Sequence, residues 1–412
     1  MKALRYRKSI PRYALLKLLG RRFPGVYTSG LPPVKLEDIP EPKLPTPHWV
    51  RIAPRLAGIC GSDLATVCAT GSPYLAPVTS LPFVLGHEVV GRIVELGAEV
   101  ATLSIGDRVV LHPALGCKAR GIHPECDACQ QGRDALCRNV TRGDISAGIQ
   151  TGYCRDTGGA FSGGFVAHES QVYRVPEGMS DEAAVLIEPF ACALHAALRA
   201  DLAQDDTALV IGCGSIGLLT IAAIRATGCK ARIVAVAKHD HQREHALSLG
   251  ANELLDARGP VKVRYALWAQ ALDAEALDPE IGKPAVIGGA AATFDCVASS
   301  RSIDDGLRFT RGGGTFVLVG MPGIPFGVDW TPLWYKELTI RAAYAYGPER
   351  CADGERETFE LALELARGRV DKLAPLVGPP HALREYRAAF ASALNTSKSR
   401  VVKTVFAIDD EA

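Results

Sequence analysis

Residues 208–217 read Ala208-Leu209-Val210-Ile211-Gly212-Cys213-Gly214-Ser215-Ile216-Gly217. The apolar run 208–211 predicts a buried strand, and the glycines after it stand as G-x-G-x-x-G at the head of a helical stretch, 216–227. Alone the glycine pattern is weak; between a strand and a helix it predicts a turn that cradles a dinucleotide. The first glycine permits the tight turn, the second lets backbone approach a pyrophosphate, and the third lets helix and strand pack closely. The helix N-terminus then offers N–H groups and a positive dipole end to phosphate. The plain alternative is an ordinary glycine-rich turn. Against it, the next strand, 232–237, arrives about 20 residues later, as a dinucleotide fold requires. The candidate cofactor residues are therefore Gly212, Gly214, Ser215, Ile216 and Gly217. At the end of the next strand they are Ala237, Lys238 and His239, with Arg243 on the helix beyond.

Outward from this turn, strands and helices alternate: an Ala-rich helix over 181–199, a helix at 242–249, and further elements at 294–298, 303–309 and 315–320. Alternation of this kind predicts an α/β fold with a doubly wound parallel sheet. Residues 258–290 exceed a normal connection and read as an insertion. Towards the N-terminus the texture changes to short β-rich runs, 50–57, 89–96 and 108–112, broken by Gly and Pro, which predicts a mostly β domain. The tail carries helices near 355–367 and 383–394 and a last strand over 401–406.

Composition excludes several classes. The 412 residues suit two domains. A net charge of +1 gives no general attraction to nucleic acid. No apolar run approaches the roughly 18–20 residues of a transmembrane segment, and the N-terminus lacks the apolar core of a secretory signal, so a cytoplasmic location is expected. Residues 1–23 nevertheless hold eight basic residues and no acidic one, with Leu15, Leu16, Leu18 and Leu19 on a short helix. The readings are a solvated basic arm packed on its own domain, a transit peptide, or a contact with a membrane surface or partner. The 12 cysteines read as thiols or metal ligands.

Four of them, Cys117, Cys126, Cys129 and Cys137, are spaced C-x8-C-x2-C-x7-C. Four thiolates close a tetrahedral zinc shell and leave no room for substrate, so this lobe reads as a structural zinc site, the alternative being a lobe of free thiols. A second set is dispersed: Cys60 within Gly58-Ile59-Cys60-Gly61-Ser62-Asp63, His87 and Glu88 after Gly86, and Glu188 before Pro189. Thiolate, imidazole and carboxylate suit zinc, and three protein ligands with one open position make a catalytic site. Spacing alone is only suggestive, because a lone Cys or His is more often a packed core residue.

Taken together, GICGSD at 58–63, GHE at 86–88, GDRV at 106–109, EPFACALHA at 188–196, GCGSIG at 212–217 and FDCVAS at 294–299 resemble the zinc-containing medium-chain dehydrogenases, particularly their polyol and threonine dehydrogenase branch. The resemblance spans roughly residues 31–412. It implies a GroES-like, mostly β catalytic domain (1–189, with the structural-zinc lobe 117–137), a Rossmann cofactor domain (190–343) and a C-terminal segment (344–412) that returns to the catalytic domain. It also implies two zinc ions per chain. Cys60 and His87 would hold the catalytic one, with Glu188 as third ligand or neighbouring carboxylate and Glu88 as alternate ligand or supporting group. Asp63 would orient the His87 ring, and Ser62 would bind the substrate oxygen and begin a proton relay. Relatives often continue that relay through a histidine five residues after the cysteine; here the position is Ala65, so the proton must leave by another route. The structural lobe also departs from the usual pattern, with six extra residues between its first two cysteines.

The implied reaction is hydride transfer between a nicotinamide cofactor and an alcohol, aldehyde or ketone. Two alternatives stay open: an aldehyde dismutase that retains its nucleotide, and a non-catalytic nucleotide-binding relative. Ala237 stands where NAD enzymes usually carry an acidic residue for the ribose 2′-OH, and Lys238, His239 and Arg243 add positive charge, so NADP is expected over NAD. A homodimer or homotetramer is expected from the resemblance and the prevalence of closed symmetry.

Overall fold

The computed structural model describes residues 1–20, 22–351 and 354–408. The chain divides into two compact units, one made of residues 1–188 and 359–412, the other of 189–358.

In the first unit, the long strand Trp49–Gly58 is the hub of a mostly antiparallel sheet. Its neighbours run in the order His381–Ala382, Val405–Ala407, Trp49–Gly58, Glu88–Leu96, Arg108–Leu111 and Val172–Arg174, and Phe165–His168 also pairs with the hub. Apolar side chains from these strands, among them Ile52, Val89, Ile93, Val109, Phe165 and Phe406, close into one core. A smaller sheet pairs Val34–Asp38, Lys2–Tyr6 and Phe83–Val84. The strand Val405–Ala407 thus lies against residues 56–58, next to the cysteine-bearing loop.

The second unit is built on six parallel strands in the order Glu253–Asp256, Arg232–Ala237, Thr207–Ile211, Ala290–Asp295, Thr310–Leu318 and Thr339–Ala342. Numbered within the unit, this is the doubly wound order 3-2-1-4-5-6, whose switch point lies beside the first strand. The expected α/β class, a β-rich body plus a dinucleotide-type sheet, is what the chain adopts.

Local differences from the sequence reading have physical causes. The stretch 181–199 is two helices, Asp181–Ala184 and Ile187–Leu198. The Ser180 hydroxyl caps the first by accepting from the Ala183 N–H, and Pro189 falls in the first turn of the second, where a missing N–H costs nothing. The insertion 258–290 is ordered: a helix, Val261–Ala271, and a hairpin of Glu275–Leu277 with Ala285–Ile287. It is tied down by charge, since Arg264 donates to both oxygens of buried Asp305 at 3.1 and 2.9 Å and the Tyr265 hydroxyl donates to the same carboxylate at 2.6 Å. Residues 355–357, expected in a helix, belong to the strand Gly354–Glu357.

The glycine turn behaves as its pattern requires. Gly212 has φ of +92°, a side chain on Gly214 would meet nothing within 4 Å, and a Cβ on Gly217 would lie 1.8 Å from the Gly212 carbonyl oxygen. The middle position is therefore open space and the last is closed by backbone. Gly217→Ala is expected to lower stability by about 3 kcal/mol, the upper end of overpacking costs, whereas Gly214→Ala should leave the melting temperature almost unchanged and weaken nucleotide binding. Thermal unfolding with and without nucleotide measures both.

Candidate active site and metal centres

Cys60 ends the hub strand's loop and caps the helix Gly61–Val67. The Asp63 carboxylate reaches back to accept from the Cys60 N–H at 2.9 Å, which fixes the thiol at the helix head. His87 and Glu88 open the neighbouring strand. The result is a compact set: one ligand atom from each of Cys60, His87 and Glu88 lies within 4.8 Å of the others. Asp63, His87 and Glu88 are all buried.

Several polar atoms here lack the partners that burial normally demands. His87 Nδ1 faces Asp63 Oδ1 at 3.9 Å, too far for a hydrogen bond, and both atoms are otherwise unpartnered, as is Ser62 Oγ. Burial disfavours charge on the His87 ring, yet Asp63, Cys60 and Glu188 lift its pKa to about 10. Burial raises the Asp63 carboxyl above its usual range, against the pull of His87. The pocket thus combines a soft thiolate, an imidazole and surplus negative charge, a donor set that fits a zinc ion.

Glu188, in the first turn of Ile187–Leu198, is near enough to act on the charges of His87 and Lys403 but stands outside the tight Cys60–His87–Glu88 set. Glu88 is not a free carboxylate. Lys403, from the far end of the chain, forms a buried ion pair with its Oε2 and donates to the Ile59 carbonyl at 3.3 Å. Gly58 makes room for the pair, because a Cβ there would lie 2.4 Å from Glu88 Oε2. No motif announces Lys403, since its partner is more than 300 residues away. Tyr153 belongs to a glycine-containing stretch that carries no motif of its own: its ring lies 6.3 Å from that of His87, and its hydroxyl is 3.2 Å from Thr66 Oγ1. Burial raises the Tyr153 pKa strongly, opposed by the hydroxyls of Ser62 and Thr66.

The four-cysteine lobe also closes. Ligand atoms of Cys117, Cys126, Cys129 and Cys137 all lie within 4.8 Å of one another, and no disulfide joins them. Backbone N–H groups of Cys117, Cys126, Arg138 and Asn139 point at the sulfurs at 3.3–3.4 Å. Although burial opposes it, such donors hold Cys126 down at about 6, while burial pushes Cys137 up to about 12. Four such sulfurs share this volume as thiolates only around a cation, so this set fits zinc too. The six extra residues do not displace Cys117, because Arg120 ties the longer loop down. It is fully buried and donates to the carbonyls of Leu115, Arg142, Ile145, Ser146 and Gly148 at 2.5–3.4 Å.

In the other unit Ala237 is buried, Lys238 exposed and His239 half-buried, its ring stacked 5.7 Å from that of His241. Burial raises the Cys213 thiol, inside the glycine turn, to about 12, and the Arg243 guanidinium opposes the rise. Arg243 therefore lies close enough for its charge to act on the turn.

Residues 46–177 match the alcohol dehydrogenase GroES-like domain, and residues 215–367 match the zinc-binding dehydrogenase domain. A probable D-xylulose reductase A of Aspergillus terreus is 31% identical, over 83% of this chain and 87% of its own. The chain belongs to the zinc-binding alcohol dehydrogenase family. It is an NAD(P)-dependent oxidoreductase of the alcohol dehydrogenase type, moving a hydride between the nicotinamide and an alcohol or carbonyl compound. The L-idonate 5-dehydrogenase of Vitis vinifera is 29% identical over 84% of each chain. The fold of this dehydrogenase is also that of the 2R,3R-butanediol dehydrogenase from Bacillus subtilis, with a TM-score of 0.70, 24% identity and 99% of both chains covered.

Removing Lys403 tests the buried pair in this dehydrogenase. Lys403→Met leaves the Glu88 carboxylate buried without its counter-charge, which should cost about 3–5 kcal/mol. Denaturant unfolding of the zinc-loaded protein measures it, and the double variant Lys403→Met/Glu88→Gln should recover most of the loss.

Proposed function

We propose that this chain is a polyol dehydrogenase holding two zinc ions and preferring NADP(H). The single observation that carries the reading is the buried set of Cys60, His87 and Glu88, with an unpartnered Ser62 hydroxyl beside it. The names of the relatives, L-idonate 5-dehydrogenase and D-xylulose reductase, support a polyhydroxylated substrate or its ketone.

Cys60 and His87 would hold the catalytic zinc, with Glu188 nearby and Glu88 restrained by Lys403. Asp63 faces the Nδ1 side of the His87 ring at 3.9 Å and acts on it through charge, so the ring would offer its other nitrogen to a metal. When bound, the zinc supplies the positive charge that acidifies an alcohol or polarises a carbonyl. Ser62 Oγ, which makes no full hydrogen bond although the Tyr153 hydroxyl is near enough for the two to interact, takes the hydrogen bond of the substrate hydroxyl and receives its proton. The Thr66 hydroxyl donates to the Ser62 carbonyl at 3.0 Å, so the Tyr153 hydroxyl donates to Thr66 Oγ1 and the branch ends on backbone. A carbonyl takes no proton onward. Thr66 and Tyr153 therefore belong to the setting of Ser62 without relaying its proton, which leaves through water or the cofactor ribose, in keeping with Ala65. Cys117, Cys126, Cys129 and Cys137 hold the structural zinc. Gly212, Gly214, Ser215, Ile216 and Gly217 cradle the pyrophosphate, while Lys238, His239 and Arg243 face a 2′-phosphate that no carboxylate at Ala237 repels. Asp240, in the same turn, opposes part of this charge. The domain roles follow: residues 1–189 with 344–412 for substrate and metal, 190–343 for cofactor. Twelve cysteines without a disulfide fit a reducing, cytoplasmic setting. No helix among the described residues is long and apolar enough to cross a membrane. The exposed final strand of the parallel sheet, Thr339–Ala342, offers an edge for C2 pairing into a homodimer or homotetramer.

Elemental analysis tests the metal assignment: two zinc per chain in the wild type, one after Cys60→Ser with activity lost, and one after Arg120→Leu through failure of the cysteine lobe. No zinc in protein purified without chelator would sink the reading. Ser62→Ala should lower kcat roughly 10²-fold at unchanged zinc content, and Tyr153→Phe should lower it far less. For the cofactor, kcat/KM should favour NADP, and Ala237→Asp should move the ratio towards NAD by repulsion of the 2′-phosphate. A wild-type preference for NAD would remove that part alone. Light scattering at micromolar concentration should return a multiple of the chain mass.

A further inference from the structure

The N-terminal segment plays no part in this chemistry, yet it is built in an unusual way. The strand Lys2–Tyr6 is anchored in a sheet, and a ten-residue helix, Ile10–Leu19, follows it. A surface helix normally turns its apolar stripe inward. Here only Leu16 is buried, and at about 100° per residue the opposite side carries Ile10, Pro11, Ala14, Leu15 and Leu18, all at least partly exposed. Ile10 is 70% exposed, Leu18 77% and Leu15 41%, and Phe23 just beyond the helix is 58% exposed. On the helical wheel Lys17 borders this outward stripe beside Ile10, while Arg12 falls about 40° from buried Leu16 on the inner side.

The charges divide into two groups. Lys2 pairs with Asp38, and Arg5 and Arg7 pair with Glu37. Among the described residues Lys8, Arg12, Lys17 and Arg22 have no ion pair, and residues 1–23 contain no acid. An outward apolar stripe with Lys17 on its edge, and with exposed Lys8 and Arg22 beyond the two ends of the helix, matches one kind of surface. The apolar side chains enter the acyl boundary of a bilayer while the cations reach lipid phosphates at its margins. A second copy of the same helix is a poor partner, because two such faces bring cation against cation.

We propose that the helix Ile10–Leu19, with Phe23, is a docking surface for an anionic lipid bilayer, placing this dehydrogenase on a membrane face without crossing it. Each cation near such a surface adds roughly fivefold to partitioning, and the contribution is screened by salt.

The test is co-sedimentation of the zinc-loaded full chain with vesicles of equimolar phosphatidylglycerol and phosphatidylcholine, against pure phosphatidylcholine. Binding to the anionic vesicles at least tenfold above the neutral ones, falling at 0.5 M salt, supports the proposal. Lys8→Glu/Lys17→Glu should lose most of the binding, and so should Leu18→Asp, with dehydrogenase activity in solution unchanged for both. No binding, equal binding to the two vesicle types, or binding untouched by either variant overturns it. So does a fall in oligomer mass on Leu18→Asp without vesicle binding in the wild type, since the face would then be covered by protein. Neither variant touches the metal or nucleotide residues, so failure here leaves the dehydrogenase reading intact.

Discussion

Burying a thiol, an imidazole and a carboxylate close to one another is unfavourable unless positive charge joins them. In this chain Lys403 meets part of that need at the candidate site. Lys403 neutralises Glu88, while His87 Nδ1 and Ser62 Oγ are left buried without partners and Cys60 completes a donor set that suits zinc. The surrounding architecture serves this arrangement. The capping contact from Asp63 holds Cys60 at a helix head, the absence of a side chain at Gly58 lets the ion pair form, and the antiparallel pairing of Val405–Ala407 with residues 56–58 brings Lys403 to it.

The structural lobe solves the same electrostatic problem differently. Its sulfurs are met by backbone N–H donors, and its irregular loop is held by a single buried guanidinium spread over five carbonyls. Loops are tolerant of length when their buried backbone groups find partners. Arg120 supplies those partners, which is why a spacing unlike that of related enzymes still assembles a four-sulfur set.

Legibility in the sequence follows the range of the interactions. The glycine turn is legible because its strand, turn and helix are contiguous and each glycine answers a local steric need. The four-cysteine set is legible because four thiols at zinc-type spacing within about 20 residues seldom arise from packing alone. Cys60, His87 and Glu188 are readable only through their motifs. Lys403 is invisible because a lysine near a chain end looks like any solvated residue until the sheet register places it. The ordered insertion is likewise hidden: Arg264 and Tyr265 are polar residues whose burial depends on Asp305, forty residues on. The outward apolar stripe of Ile10–Leu19 cannot be told from an inward one, since periodicity marks a face without saying which way it turns.

The order of synthesis gives the Lys403–Glu88 pair a further meaning. A ribosome completes Trp49–Gly58 and Glu88–Leu96 early, and these strands pair with each other. The strand Val405–Ala407, which closes the same sheet, is made only after the whole nucleotide-binding unit has been translated. Until then Glu88 has no lysine to balance its charge. The pocket around Cys60 and His87 therefore reaches its final charge only when the C-terminal strand has closed the sheet, so its electrostatics depend on completion of the whole chain.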